Sequence, residues 1–94
     1  VSDDQRQKRE VDYRGTVQGV GFRYNTRRIA AAYSVTGYVR NLRDGRVHLV
    51  AEGLSAELDR FFDAVQAQLG HYIDDVTQSV GPASGQFDRF EIRL

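Results

Sequence analysis

The chain has 94 residues, 13 of them basic and 13 acidic, with no cysteine and a formal net charge of zero. That length holds one compact domain, whose thin core and lack of disulfide staples leave stability to a sheet packed against helices. The composition excludes thiol nucleophiles, cysteine-based zinc sites and iron–sulfur clusters, and no apolar run reaches the roughly 20 residues that a membrane helix needs.

The first ten residues, VSDDQRQKRE, carry no apolar block, which argues against a secretory signal. Residues 1–9 are expected to form a flexible lead-in and residues 10–94 a single domain. REVDYRGTV then alternates Val11, Tyr13, Gly15 and Val17 with Asp12, Arg14 and Thr16, the pattern of a strand with one face inward. QGVG breaks it. From Phe22 to about Ser34, Phe22, Ile29, Ala30 and Tyr33 recur at helical spacing, predicting an amphipathic helix. TGYVRNLRDGRVHLVAEG reads as two strands joined by a two-residue turn at Asp44-Gly45. Ser55 is placed to cap a second helix whose stripe is Leu58, Phe61, Phe62, Val65 and Leu69, with Gly70 as its stop. A further strand is expected around Val76 to Val80, a turn at PASGQ, and a short last strand through Phe90, Ile92 and Leu94.

This order, β-α-β-β-α-β with a short C-terminal strand, is the α+β ferredoxin-like split βαβ plan: an antiparallel sheet with two helices on one face. In that plan the first and second strands run in the same direction. The loop after Val17 and the strand end near Asn41 should therefore meet at one edge of the sheet.

The balanced charge is segregated. Gly15 to Arg43 contains Arg23, Arg27, Arg28, Arg40 and Arg43 and no acid, whereas Ala51 to Val76 contains six acids and only Arg60 as a base. One end of the molecule should attract anions. Arginine outnumbers lysine 12 to 1, and its planar fork suits phosphate or carboxylate.

GTVQGVGFRYN (15–25) lies at the start of the basic stretch, with three glycines ahead of Arg23. Glycines allow backbone angles at which several N–H groups converge on one centre, and the helix beginning near Phe22 adds its own unpaired N–H groups. A cation in a first helical turn opposes the helix dipole unless an anion sits between them. The segment lacks the Lys-Ser/Thr pair of a nucleotide P-loop and the spacing of a dinucleotide fingerprint. Read by itself it is either an anion pocket or a tight turn into a helix.

Two longer blocks bear on that choice. Gly15, Val17, Gln18, Gly19, Val20, Phe22 and Arg23, followed by Gly37, Tyr38, Val39, Asn41, Gly45, Val47 and Gly53, resemble the acylphosphatase family. The likeness is close from Tyr13 to Gly53, extends loosely to the terminal FEIRL, and shows no departure at any matched position. It implies a small ferredoxin-like hydrolase of acyl phosphates that uses neither metal nor cofactor. The family's catalytic arginine corresponds to Arg23 and its catalytic asparagine to Asn41. Its phosphate-binding loop corresponds to Val17, Gln18, Gly19, Val20, Gly21 and Phe22. The partners implied are a small-molecule acyl phosphate and inorganic phosphate as product and inhibitor, with no nucleic acid and no membrane, for a cytoplasmic monomer.

These residue types suit that chemistry. An acyl phosphate is a mixed anhydride whose leaving carboxylate needs no protonation, since its parent acid has a pKa of about 4. What remains is to hold a phosphoryl group and place one water. Two other readings have the same fold. An RNA-binding module would stack bases on sheet aromatics, but VHLVAEG carries none. An accessory domain of a larger maturation enzyme would recognise phosphate or carbamoyl groups.

Overall fold

The computed structural model describes residues 5–94. Val11 and Tyr13 are buried while Glu10 and Arg14 are exposed, so the alternation in the sequence is also an alternation in space. Strand β1 spans Arg6–Gly15, helix α1 Phe22–Ala30, β2 Thr36–Asn41, β3 Val47–Leu54, helix α2 Ser55–Leu69, β4 Ile73–Pro82 and β5 Phe90–Arg93. The sheet order is β4-β1-β3-β2-β5. The ferredoxin-like plan read from the sequence is the one the chain adopts. It needs one correction: β5 pairs with β2 in parallel, Gly37 beside Phe90 and Val39 beside Ile92, so the sheet is mixed.

Several boundaries also move. β1 starts at Arg6, so residues 6–9 belong to the sheet and not to a lead-in; that part of the expectation which falls on residues 1–4 lies outside the described residues. The gain comes from pairing on both sides, Arg6 to Arg9 lying opposite Leu54 to Ala51 of β3 and Gln7 to Arg9 opposite Pro82 to Val80 of β4. Arg9 is itself buried, with Nη1 2.7 Å from Asp59 Oδ1 and Nη2 donating to the Ser55 carbonyl and Oγ at 3.4 Å. Ser55 is accordingly the first residue of α2 and makes no capping bond to its N–H groups. Helix α1 ends at Ala30, four residues before Ser34, as Ala32 and Tyr33 donate to Ile29 and Ala30 in tighter turns and the Ser34 N–H donates to Glu57 Oε2 at 2.8 Å. β4 is longer than Val76 to Val80 because it is an edge strand, exposed along most of its length, and carries no burial alternation for a sequence to display.

The β2–β3 hairpin is not a two-residue turn. Leu42 N–H donates to the Arg46 carbonyl at 2.8 Å and Gly45 N–H to the Leu42 carbonyl at 3.2 Å, with Gly45 at φ 96°. This is a three-residue loop whose last residue is left-handed, and Asp44 closes it by accepting from the Arg46 N–H and Nε. Those bonds, the backbone one first, hold the Asp44 carboxyl below its ordinary pKa.

The core lies between the helices and one face of the sheet. Phe22 and Ile29 of α1 and Leu58, Phe61, Val65 and Leu69 of α2 pack on Val11, Tyr13, Val39, Val47, Leu49 and Ala51. Phe62 is only half-buried, at the edge of the stripe, with its ring 5.1 Å from that of Phe61. Tyr13 lies against Phe22 at 5.4 Å, and burial pushes its hydroxyl pKa up. On the opposite face the loop between β4 and β5 reaches Tyr38, through Phe87, and Glu52. There Glu52, 2 % exposed, accepts from the N–H and Oγ of Ser84 and the N–H of Gly85 at 2.6 to 3.0 Å.

Candidate active site

The connection from β1 to α1 is shaped by glycine. Gly19 and Gly21 have φ 80° and 77°, angles that strain a side-chain-bearing residue. After β1 the first backbone N–H to donate within the described residues is that of Asn25, which reaches the Gly21 carbonyl at 3.0 Å. Helix α1 has no side-chain cap and no acid in its first turn. The donors at its start are thus left for an external acceptor.

Because β1 and β2 are both antiparallel to β3 between them, the loop and the end of β2 meet at one edge of the sheet. There a pocket of about 190 Å³ is lined by Val17, Gly19, Gly21, Phe22, Arg23, Tyr24, Asn41 and Ile92. Arg23 and Asn41, 18 residues apart in the sequence, share it. Arg23 Nη1 donates at 3.4 Å to the carbonyl of Arg93 on β5, which steadies the guanidinium. Asn41 Oδ1 is buried without a hydrogen-bond partner among the described residues, a condition shared only with Thr26 Oγ1. Buried polar atoms are otherwise nearly always paired, so Asn41 presents an acceptor that a ligand or water must satisfy.

Two loop residues do not line the pocket. Gln18 turns away, its Nε2 donating to the carbonyls of Leu42 at 2.7 Å and Arg46 at 2.9 Å. Val20 is half-buried against the core. Conversely, the sequence reading did not include Tyr24 or Ile92. Tyr24 had a signal, a large aromatic on the exposed side of the helix; Ile92 had none, because its place depends on the parallel pairing of β5.

The other charged groups lie elsewhere. Arg27, Arg28, Arg40 and Arg43 are exposed, the first two in the last turn of α1, and Arg28 donates to Asn25 Oδ1 at 3.1 Å. His48 pairs with Asp12 at 2.7 Å on the sheet face away from the helices, and His71 lies against Tyr72. On that same face the Tyr38 and Phe87 rings are tilted at 56° to each other, with the Arg93 guanidinium 4.2 Å from the Tyr38 ring centre and 5.7 Å from that of Phe87. No group of three or more His, Cys, Asp or Glu side chains among the described residues is placed to hold a metal ion.

A glycine-shaped loop at a helix start, an arginine and an unsatisfied carboxamide oxygen thus meet at one pocket. Comparison with known proteins identifies the family. The profile of the acylphosphatase family matches residues 9–92. An acylphosphatase of Lactobacillus johnsonii is 38 % identical over 80 residues, covering 83 % of this chain and 88 % of that one. One of Archaeoglobus fulgidus is 52 % identical over 58 residues, covering 62 % and 65 %. The crystal structure of the Bacillus subtilis acylphosphatase superposes with a TM-score of 0.84 at 30 % identity, covering 94 % of this chain and 99 % of that one. The chain belongs to the acylphosphatase family.

Proposed function

We propose that the pocket between α1 and the end of β2 hydrolyses acyl phosphates without a metal ion, with Arg23 and Asn41 as its catalytic residues. The loop N–H groups around Gly19 and Gly21 and the Arg23 guanidinium bind the phosphoryl oxygens, and they stabilise the charge spread over them in the transition state. Asn41 holds a water through its carboxamide, the Oδ1 accepting a hydrogen bond from one water O–H. The water oxygen forms a bond to phosphorus as the bond from phosphorus to the acyl oxygen breaks. The carboxylate leaves with that electron pair, and the water's proton ends on phosphate or solvent.

Gln18 and Val20 support this loop from behind, while Val17 and Phe22 anchor its two ends in the core. A simple alkyl phosphate, which would leave as an alkoxide, is a poor substrate for a pocket with no acid to protonate it. The proposal includes a monomer in the cytoplasm, the latter on the strength of the cysteine-free sequence.

One observation carries the reading: the unpartnered Asn41 Oδ1 and the Arg23 guanidinium share a single pocket. The test is hydrolysis of benzoyl phosphate in excess chelator, followed by ultraviolet absorbance and repeated with Arg23→Ala, Asn41→Ala and a phosphate monoester. Turnover in the wild type, its collapse in both folded variants and inertness of the monoester are the expected results. Full activity in either variant overturns the assignment of that residue.

A further inference from the structure

The phosphoryl group accounts for the polar wall of the pocket, formed by the backbone at Gly19 and Gly21 with Arg23 and Asn41. It does not account for the apolar wall, Val17, Phe22, Tyr24 and Ile92. Val17 and Phe22 are buried in the core and would be present whatever the pocket held. Ile92 is half-buried against the same core. Tyr24 differs: it is 63 % exposed, and its ring lies outside the aromatic pairs that organise the core, such as Tyr13–Phe22 and Phe61–Phe90. An aromatic ring left in water at a pocket mouth has apolar area to bury only when something is bound.

Arg23 and Tyr24 are consecutive in α1. In the substrate, the acyl carbon stands two bonds from phosphorus. Arg23 and Tyr24 both line the pocket, so a phosphoryl group gripped by Arg23 and the loop puts the acyl group in the same small cavity as the Tyr24 ring. Nothing on that wall carries a charge, so it has no means of selecting a charged acyl group. It offers a flat ring and a branched aliphatic side chain.

We propose that Tyr24, with Ile92, is the surface on which the acyl half of the substrate lies, so that the site favours acyl phosphates with aromatic or bulky apolar acyl groups over acetyl phosphate. This rests on the pocket being the acyl phosphate site. It assigns the two walls separate tasks, one for the group transferred and one for the group released.

The test compares kcat/KM for benzoyl phosphate and acetyl phosphate in the wild type, Tyr24→Ala and Tyr24→Phe. Contact with an aromatic face is worth enough that the benzoyl-to-acetyl ratio should fall about tenfold in Tyr24→Ala, chiefly through KM for the benzoyl compound. Tyr24→Phe, which keeps the ring and loses only the hydroxyl, should hold the ratio. Inhibition by inorganic phosphate reads the polar wall alone, and its retention in Tyr24→Ala shows that the loop is intact. A ratio within twofold of wild type in Tyr24→Ala, with both substrates hydrolysed, overturns the role of Tyr24 and leaves the catalytic reading standing. An equal fall in Tyr24→Phe also overturns it, since the hydroxyl and not the ring would then be responsible. Failure of the wild type to hydrolyse either compound removes the catalytic reading and this inference with it.

Discussion

The side-chain amide of Gln18 donates to the carbonyl of Leu42 at 2.7 Å, tying the glycine-shaped loop to the hairpin that begins just past Asn41. A second bond from the same nitrogen reaches the Arg46 carbonyl at 2.9 Å. The two halves of the pocket are thus fastened behind it by a residue that does not line it. Gln18→Leu keeps a similar volume and removes both donors. Loss of about 1–3 kcal/mol in stability is expected from the two hydrogen bonds removed, the Leu42 and Arg46 carbonyls each keeping only their backbone donor from Gly45 and Leu42, together with a roughly tenfold fall in kcat/KM as the two walls drift apart. Denaturant unfolding and steady-state kinetics on the same preparation check both. An unchanged kcat/KM would show that the loop holds its place without the tie.

Arg23→Lys separates charge from shape. The ammonium keeps the positive charge but cannot present a planar fork to two phosphoryl oxygens. It should therefore resemble Arg23→Ala, with kcat reduced by at least about 100-fold, corresponding to roughly 3 kcal/mol of transition-state stabilisation. Circular dichroism should show both variants folded, since among the described residues the half-exposed guanidinium makes only a long bond, to Arg93. Recovery of most of the activity in the lysine variant would mean that a point charge suffices.

Gly37 and Gly45 make a matched pair for stability. Both have positive φ, 140° and 96°. A Cβ on Gly37 would collide with the Val50 carbonyl across the β2–β3 ladder, whereas one on Gly45 would meet nothing within 4 Å. Gly45→Ala should cost about 1–2 kcal/mol, the backbone term alone. Gly37→Ala should cost clearly more and open the ladder opposite Ala51, at the end of β2 away from Asn41. Parallel urea titrations measure the difference, and equal losses would contradict the close approach.

Glu52 sets an acid limit on stability. Burial pushes its carboxyl pKa up, but the bonds from the Ser84 hydroxyl and the N–H groups of Ser84 and Gly85 outweigh burial, and the folded value lies below the ordinary one. Since folding depresses this pKa, the contribution is complete above the unfolded value of about 4.3 and is lost as pH falls through the lower folded value. Unfolding free energy should decline on acidification through that range. Glu52→Gln should be less stable at neutral pH and show a shallower decline. Identical slopes would place the acid sensitivity elsewhere.

The parts of this structure legible in the sequence were those fixed by neighbours along the chain. Gly19 and Gly21 announced the loop, and the Leu58, Phe61, Val65, Leu69 spacing announced the buried face of α2. What escaped depends on pairing across long separations. Arg9 looked like a solvated tail residue because Asp59, which neutralises it, lies on α2. Asp44-Gly45 suggested the tightest turn, but the Leu42–Arg46 bond enlarges the loop by one residue. The parallel seat of β5 beside β2 left no trace in periodicity, so Ile92 and the Arg93 carbonyl were missing from the site.

β3 lies between the two strands that deliver the loop and Asn41, and Val47, Leu49 and Ala51 on it are fully enclosed. The gap across which a substrate is gripped is therefore one strand wide, and the strand that sets it is the most tightly wedged in the molecule. Turnover in this protein should behave as a gauge of interior fit: a methylene added or removed under β3 would register in the rate before it registered in any contact with substrate.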